Sequence, residues 1–208
     1  MSRRALRQAP WVATTFICLT PGLAQAHLMA TGMGPVYDGV THFGLSPEDY
    51  LPVIALGFFA GLRGPRHARL ALAGLAAGWL LGGLAGPMGL WAPAVVLPAA
   101  TAALFLIIGG ALAANREVDP GVCALAAVAL GLVRGAADLT GVAWSLQHLV
   151  TLTGMTASAV IAFVLAASVT LPLQRLWMIV AARVSGSWLA ATGLLLAGWI
   201  LRYGAAVQ

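Results

Sequence analysis

Apolar residues fill this chain in runs about as long as a bilayer is thick, roughly 20 residues each, separated by short turns. Of its 208 residues, 61% are hydrophobic and only 8% are charged. A soluble domain carries about 25% charged residues, so this surface cannot be clothed against water and must face lipid. Nothing alternates with period two over strand-length segments, and backbone groups in hydrocarbon must be satisfied internally, so helices are expected rather than a barrel. The apolar runs predict spans at about 47–62, 68–85, 91–113, 121–137, 145–169 and 186–202. Gly64-Pro65, Gly86-Pro87 with Pro93, and Asp119-Pro120-Gly121 supply turn chemistry between them. The expected fold is an all-α membrane protein, a six-helix transmembrane bundle over residues 47–208.

The first 26 residues have the pattern of a cleavable signal peptide. Arg3, Arg4 and Arg7 form a basic start, Trp11 to Leu19 a short apolar stretch, and Ala24-Gln25-Ala26 a small-residue cleavage site. Cleavage leaves His27 as the mature N-terminus, followed by a polar lead-in over 27–46. It also removes Cys18, so Cys123 is left without an intramolecular disulfide partner.

All eleven basic residues are arginine, and their distribution gives a sidedness. Arg63 and Arg66 with Arg69, then Arg116, then Arg175 and Arg183 fall in the odd-numbered loops, whereas the second and fourth loops hold none. Short cytoplasmic loops concentrate basic residues, so the odd loops face the cytoplasm and both mature termini face the periplasm of a bacterial inner membrane. Asp38, Glu48, Asp49 and Asp138, with His27, His42 and His148, then gather at the periplasmic side. Ionisable groups at membrane depth are costly and mark a pathway or a pair, which makes this cluster the main functional clue. No basic cluster interleaved with aromatics tracks a phosphate backbone, so nucleic acid is excluded as a partner. Lipid is the partner that composition demands, and protein partners are not indicated.

Within the cluster, Ser46-Pro47-Glu48-Asp49 opens the first span, with Ser46 placed to cap, Pro47 at the first helical position and two acids at the positive end of the helix dipole. Asp49 is also a candidate cation ligand, with His42 delivered from the lead-in. Arg134 lies one helical turn before Asp138, a spacing that suits an ion pair or a cavity whose charge Arg134 sets. His148, Thr151 and Met155 share one face of the fifth span, a column of nitrogen, oxygen and thioether groups of a softness suited to a late transition metal. The candidate metal ligands are therefore His42, Asp49, His148 and His27, supported by Glu48, Arg134, Asp138 and Met155. Gly74, Gly78, Gly82 and Gly86 form a small-residue packing seam. No phosphate-binding glycine loop, nucleophile elbow or HExxH motif is present, so enzyme activity is not expected, nor is a tightly bound cofactor.

These residues resemble the HupE/UreJ family of bacterial membrane proteins, associated with nickel or cobalt uptake for hydrogenase and urease. The likeness spans the mature chain: a signal ending just before His27, a His-containing lead-in, six spans, and a first-span opening like the family's His-x5-Asp-His motif. His42 and Asp49 are the nearest matches, with one extra residue between them and Tyr50 in place of the second His. Arg134-Gly135-Ala136-Ala137-Asp138 stands where the family has His-Gly-x-x-His-Gly-x-Glu. The resemblance implies a permease for a divalent transition metal, with nickel or cobalt as transported ion. The alternative is a non-transporting membrane scaffold or accessory subunit of a metalloenzyme maturation system. Terminal sequencing of the membrane-inserted protein should begin at His27, and a reporter fused after Gln208 should report the periplasm; a cytoplasmic C-terminus would overturn this topology.

Overall fold

In the computed structural model, residues 32–89, 96–172 and 175–203 are described. The expected leader, His27 and Trp91 lie outside them. The described residues are helical, with no strand among them: α1 (Pro35–Leu45), α2 (Pro47–Leu62), α3 (Pro65–Ala85), α4 (Val96–Ala114), α5 (Pro120–Leu139), α6 (Leu146–Thr170) and α7 (Leu176–Tyr203). A 3-10 turn over Gly86–Met88 extends α3. Five helices, α3 to α7, are long and apolar enough to cross a membrane. Large apolar side chains such as Trp188, Leu195 and Leu201 face outward, the distribution that a lipid environment requires.

Prolines start four of these helices, because the missing N–H is no loss in the first turn and the fixed φ is already helical. Two elements differ from the sequence expectation. The polar lead-in, to which the sequence reading assigns no helix, is helical over residues 35–45, and this α1 packs on α6. The final helix begins at Leu176, ten residues before the anticipated 186, because no proline or helix-ending turn interrupts Leu176 to Gly186. Arg183 consequently sits inside α7 and not in a loop, its Nε donating to the carbonyl of Ala113 at 2.8 Å.

The first span differs in another way. Helix α2 has the anticipated bounds but only 16 residues, about 24 Å of rise against about 30 Å of hydrocarbon. It packs mainly against α6, as α1 does, and is not among the five helices long enough to cross by length and composition. Ser46 is extended (φ −99°, ψ 96°), as the residue before a proline must tend to be, and this breaks the two helices apart. Ser46 occupies the N-cap position, yet its side chain makes no capping hydrogen bond. The break reverses the chain enough to bring His42, in the last turn of α1, against Asp49, in the first turn of α2.

Glycines set the distances between helices. Gly74, Gly78, Gly82 and Gly86 all face α5, each with backbone atoms of Ala124, Val128, Leu132, Ala136 or Leu139 among its nearest. Gly131 and Gly135 answer from α5 against Leu75 and Trp79. The residue numbers rise together, so α3 and α5 run parallel in backbone contact. Gly109 and Gly186 do the same for the antiparallel pair α4 and α7, and Gly39 and Gly154 mark where α1 crosses α6. Without a hydrophobic drive between helices in lipid, such van der Waals contact is a principal source of association.

The bundle thus has two chemically distinct ends. One carries His42, Asp49, Asp138 and His148. The other carries Arg63, whose Nε donates to the carbonyl of Arg116 at 2.8 Å, together with His67, bonded to the carbonyl of Val118 at 2.9 Å. Replacing Gly78 by Ala should lower unfolding free energy by about 1–3 kcal/mol, because the new methyl meets the Val128 backbone. Gly110→Ala, which meets nothing, should be neutral or stabilising by about 0.5–1 kcal/mol from helix propensity. Thermal unfolding of both variants in one detergent gives the comparison; equal stabilities would remove the seam's role.

Candidate metal centre

Four elements deliver charged or polar groups to one buried point. Asp49 is fully buried in the first turn of α2, Arg134 is 7% exposed near the end of α5, and Asp138 follows Arg134 by one turn. His42 arrives from α1, and Thr101 from α4. Arg134 is the centre of the arrangement. Its Nε donates to Asp49 Oδ1 at 2.6 Å, its Nη2 to Asp138 Oδ1 at 2.9 Å, and its Nη1 reaches Thr101 Oγ1 at 3.5 Å. Glu48 Oε1 lies 4.0 Å from Nη2, on a half-exposed side chain at the rim.

A planar guanidinium suits this position because its donors diverge in a fixed fork, so one cation can address carboxylates on two helices. Each aspartate gives it one oxygen and keeps the other. Asp49 Oδ2 and Asp138 Oδ2 are both buried with no hydrogen-bond partner. An unsatisfied buried carboxylate oxygen is expensive, and a native structure that holds two of them around one guanidinium demands a reason. His42 Nε2 stands 3.9 Å from Asp49 Oδ2 and 3.7 Å from Asp138 Oδ1. These separations exceed a hydrogen bond. They set an imidazole against two carboxylates without a direct bond.

His42, Asp49 and Asp138 each offer a ligand atom within 4.8 Å of the others. Two atoms bound to one transition-metal ion at about 2.0–2.2 Å are themselves separated by about 3–4 Å, so modest side-chain adjustment closes the three onto a single ion. The local charge is suited to such an ion. Glu48, Asp49 and Asp138 outnumber Arg134 by two negative charges, the complement of one divalent cation beside a neutral imidazole.

The other candidate residues are placed differently. His148 is buried but lies outside the three-residue group, its Nε2 3.2 Å from the carbonyl of Gly83 and its ring tilted against Trp144 at 5.1 Å. It ties the start of α6 to the end of α3. Ser145 caps that helix start by accepting from the His148 backbone N–H at 3.1 Å. Met155 is fully buried in the apolar core, beside the point where Gly39 of α1 crosses α6. Asp138, placed behind the ligands on sequence grounds, sits among them. Thr101 escaped sequence reasoning, since the one hydroxyl in an apolar helix start has no spacing to tie it to Arg134.

Phe43 holds His42 in place. Its ring meets the buried Trp79 edge-on at 5.8 Å, anchoring the end of α1 against α3. Comparison with family models, curated proteins and solved structures returns no match for this chain. The site is therefore interpreted from its own chemistry. Removing the guanidinium should expose its structural weight: Arg134→Ala should lower stability by about 3–5 kcal/mol, since it strands a buried carboxylate. Thr101→Val, which gives up only a hydrogen bond at the limit of length, should cost below about 1 kcal/mol. Thermal unfolding of the two variants checks the order, and similar losses would contradict it.

Proposed function

We propose that this chain is a permease-like protein of the bacterial inner membrane that takes a divalent transition-metal ion at its periplasmic face, through His42, Asp49 and Asp138. The observation that carries this reading is the pair of unpartnered buried oxygens, Asp49 Oδ2 and Asp138 Oδ2, on two carboxylates that His42 Nε2 approaches to 3.9 and 3.7 Å. A neutral imidazole with two carboxylates favours nickel, cobalt or zinc over calcium or magnesium, which prefer all-oxygen shells. The resemblance to the HupE/UreJ family points to nickel or cobalt within that group. The arginine count assigns the carboxylate end to the periplasm, where an incoming ion would first meet Glu48 at the rim and then the buried ligands.

A second reading has an observation of its own. Arg134 already binds one oxygen of each aspartate at 2.6 and 2.9 Å, as a purely structural ion-pair network would. On that reading the chain is a membrane scaffold or accessory subunit, and the two free oxygens are a cost of folding. Metal binding separates the two. Purified protein equilibrated with competing nickel, cobalt, zinc and magnesium should retain one transition-metal ion per chain after buffer exchange. His42→Ala and Asp49→Asn should each abolish that retention, and the double variant should lose no more than either single one, because residues of one site are non-additive. Failure of the parent protein to retain any metal would leave the scaffold reading.

A further inference from the structure

Arg134 stands where this site wants positive charge. Its guanidinium takes Asp49 Oδ1 and Asp138 Oδ1, so the two aspartates face a cation before any ion arrives. An incoming ion therefore competes with a side chain of this protein as well as with water. The same guanidinium has a second acceptor within reach. Glu48 Oε1 lies 4.0 Å from Nη2, and its side chain is 52% exposed while those of Asp49 and Asp138 are 0% and 3% exposed.

We propose that Arg134 is the resident cation of this site, and that a divalent metal ion displaces its guanidinium from Asp49 and Asp138 toward Glu48. The inference rests on the metal-binding reading given above and adds what governs occupancy. With a neutral imidazole, three carboxylates and one guanidinium, a divalent ion brings the group to zero net charge. The two buried aspartates then neutralise the metal and Glu48 neutralises Arg134. A displaced guanidinium left without a partner at this depth would cancel the gain, and Glu48 removes that penalty. The contact to Thr101 at 3.5 Å is too long to oppose the shift.

The exchange also explains selection by charge. A monovalent ion would replace a guanidinium of equal charge while breaking two short charge-assisted hydrogen bonds, and so gains nothing. A divalent ion doubles the attraction to both carboxylates. Arg134 thus acts as a threshold that sodium and potassium do not cross, and His42 adds the nitrogen donor that hard ions use poorly.

The sign of one substitution tests this directly. Arg134→Gln keeps an amide donor near the aspartates but removes the competing charge. It destabilises the empty site more than the loaded one, so it should tighten binding; an arginine that only positions the ligands would have the opposite effect. Calorimetric titration of the purified full chain with nickel(II) should give binding about tenfold or more tighter for R134Q than for the parent. E48Q should bind about tenfold more weakly, with the metal-free protein still folded and lowered in stability by no more than an exposed helix-start charge contributes. R134K, which keeps the charge, should stay close to the parent. A parent protein that does not bind nickel(II) overturns the metal site and the exchange with it. A parent that binds, with a folded R134Q that binds equally or more weakly, overturns the exchange and leaves the metal site standing. Should R134Q fail to fold, E48Q decides: unchanged affinity in that variant overturns the handover to Glu48.

Discussion

A guanidinium buried among helices must be neutralised where it lies, and in this protein that requirement joins α2, α4 and α5 at one point. Arg134 is only 7% exposed, so in the metal-free protein Asp49 and Asp138 have to be held within its reach. Asp49 in turn is fully buried, and without Arg134 it would be an isolated charge at a depth where that costs several kcal/mol. The short α2 keeps its first turn in contact with α5 because, without another cation to take its place, the guanidinium cannot leave Asp49 cheaply.

Glycine contacts make that geometry possible. Parallel α3 and α5 approach until Gly78 meets the Val128 backbone and Gly135 meets that of Trp79. Trp79 is thereby fixed, and Phe43 packs on its ring, so the end of α1 is located from a seam on the far side of the site. Gly39 and Gly154 let α1 cross α6 in backbone contact, which leaves His42 facing the aspartates. A larger residue at any of these positions would move a candidate ligand by shifting the helix that carries it.

The two ends of the bundle solve the same problem differently. At the arginine end, Arg63 and Arg183 satisfy carbonyl oxygens left free where helices finish, at Phe59, Ala113 and Arg116. These cations sit close to helix C-termini, where the macrodipole favours them. At the other end, buried carboxylates outnumber their cation and keep oxygens in reserve. Stability alone asks that each such group be partnered, as Arg63 and Arg183 are by carbonyl oxygens. The imbalance at the carboxylate end is what supports a site for a cation from outside.

Much of this was legible from residue order. Hydrophobic runs and proline-glycine turns locate the long helices because lipid requires apolar residues over a fixed thickness and internally satisfied backbones. The four-residue glycine spacing marks a packing face, and the four-residue spacing of Arg134 and Asp138 brings those two together on one helix turn. His42 and Asp49 were linked by their nearness to one proline break. Tertiary structure alone decided the rest. The helical form of residues 35–45 comes from the groove that α6 offers them, and their own Gly-containing, mixed sequence gave no apolar run to read. Which side chain meets Arg134 across helices depends on rotation about each helix axis, so Asp49 and Thr101 were joined to it by packing, and His148 was turned instead to the carbonyl of Gly83. Depth along the membrane can be counted in residues; the facing of helices is set by contacts between residues far apart in the chain.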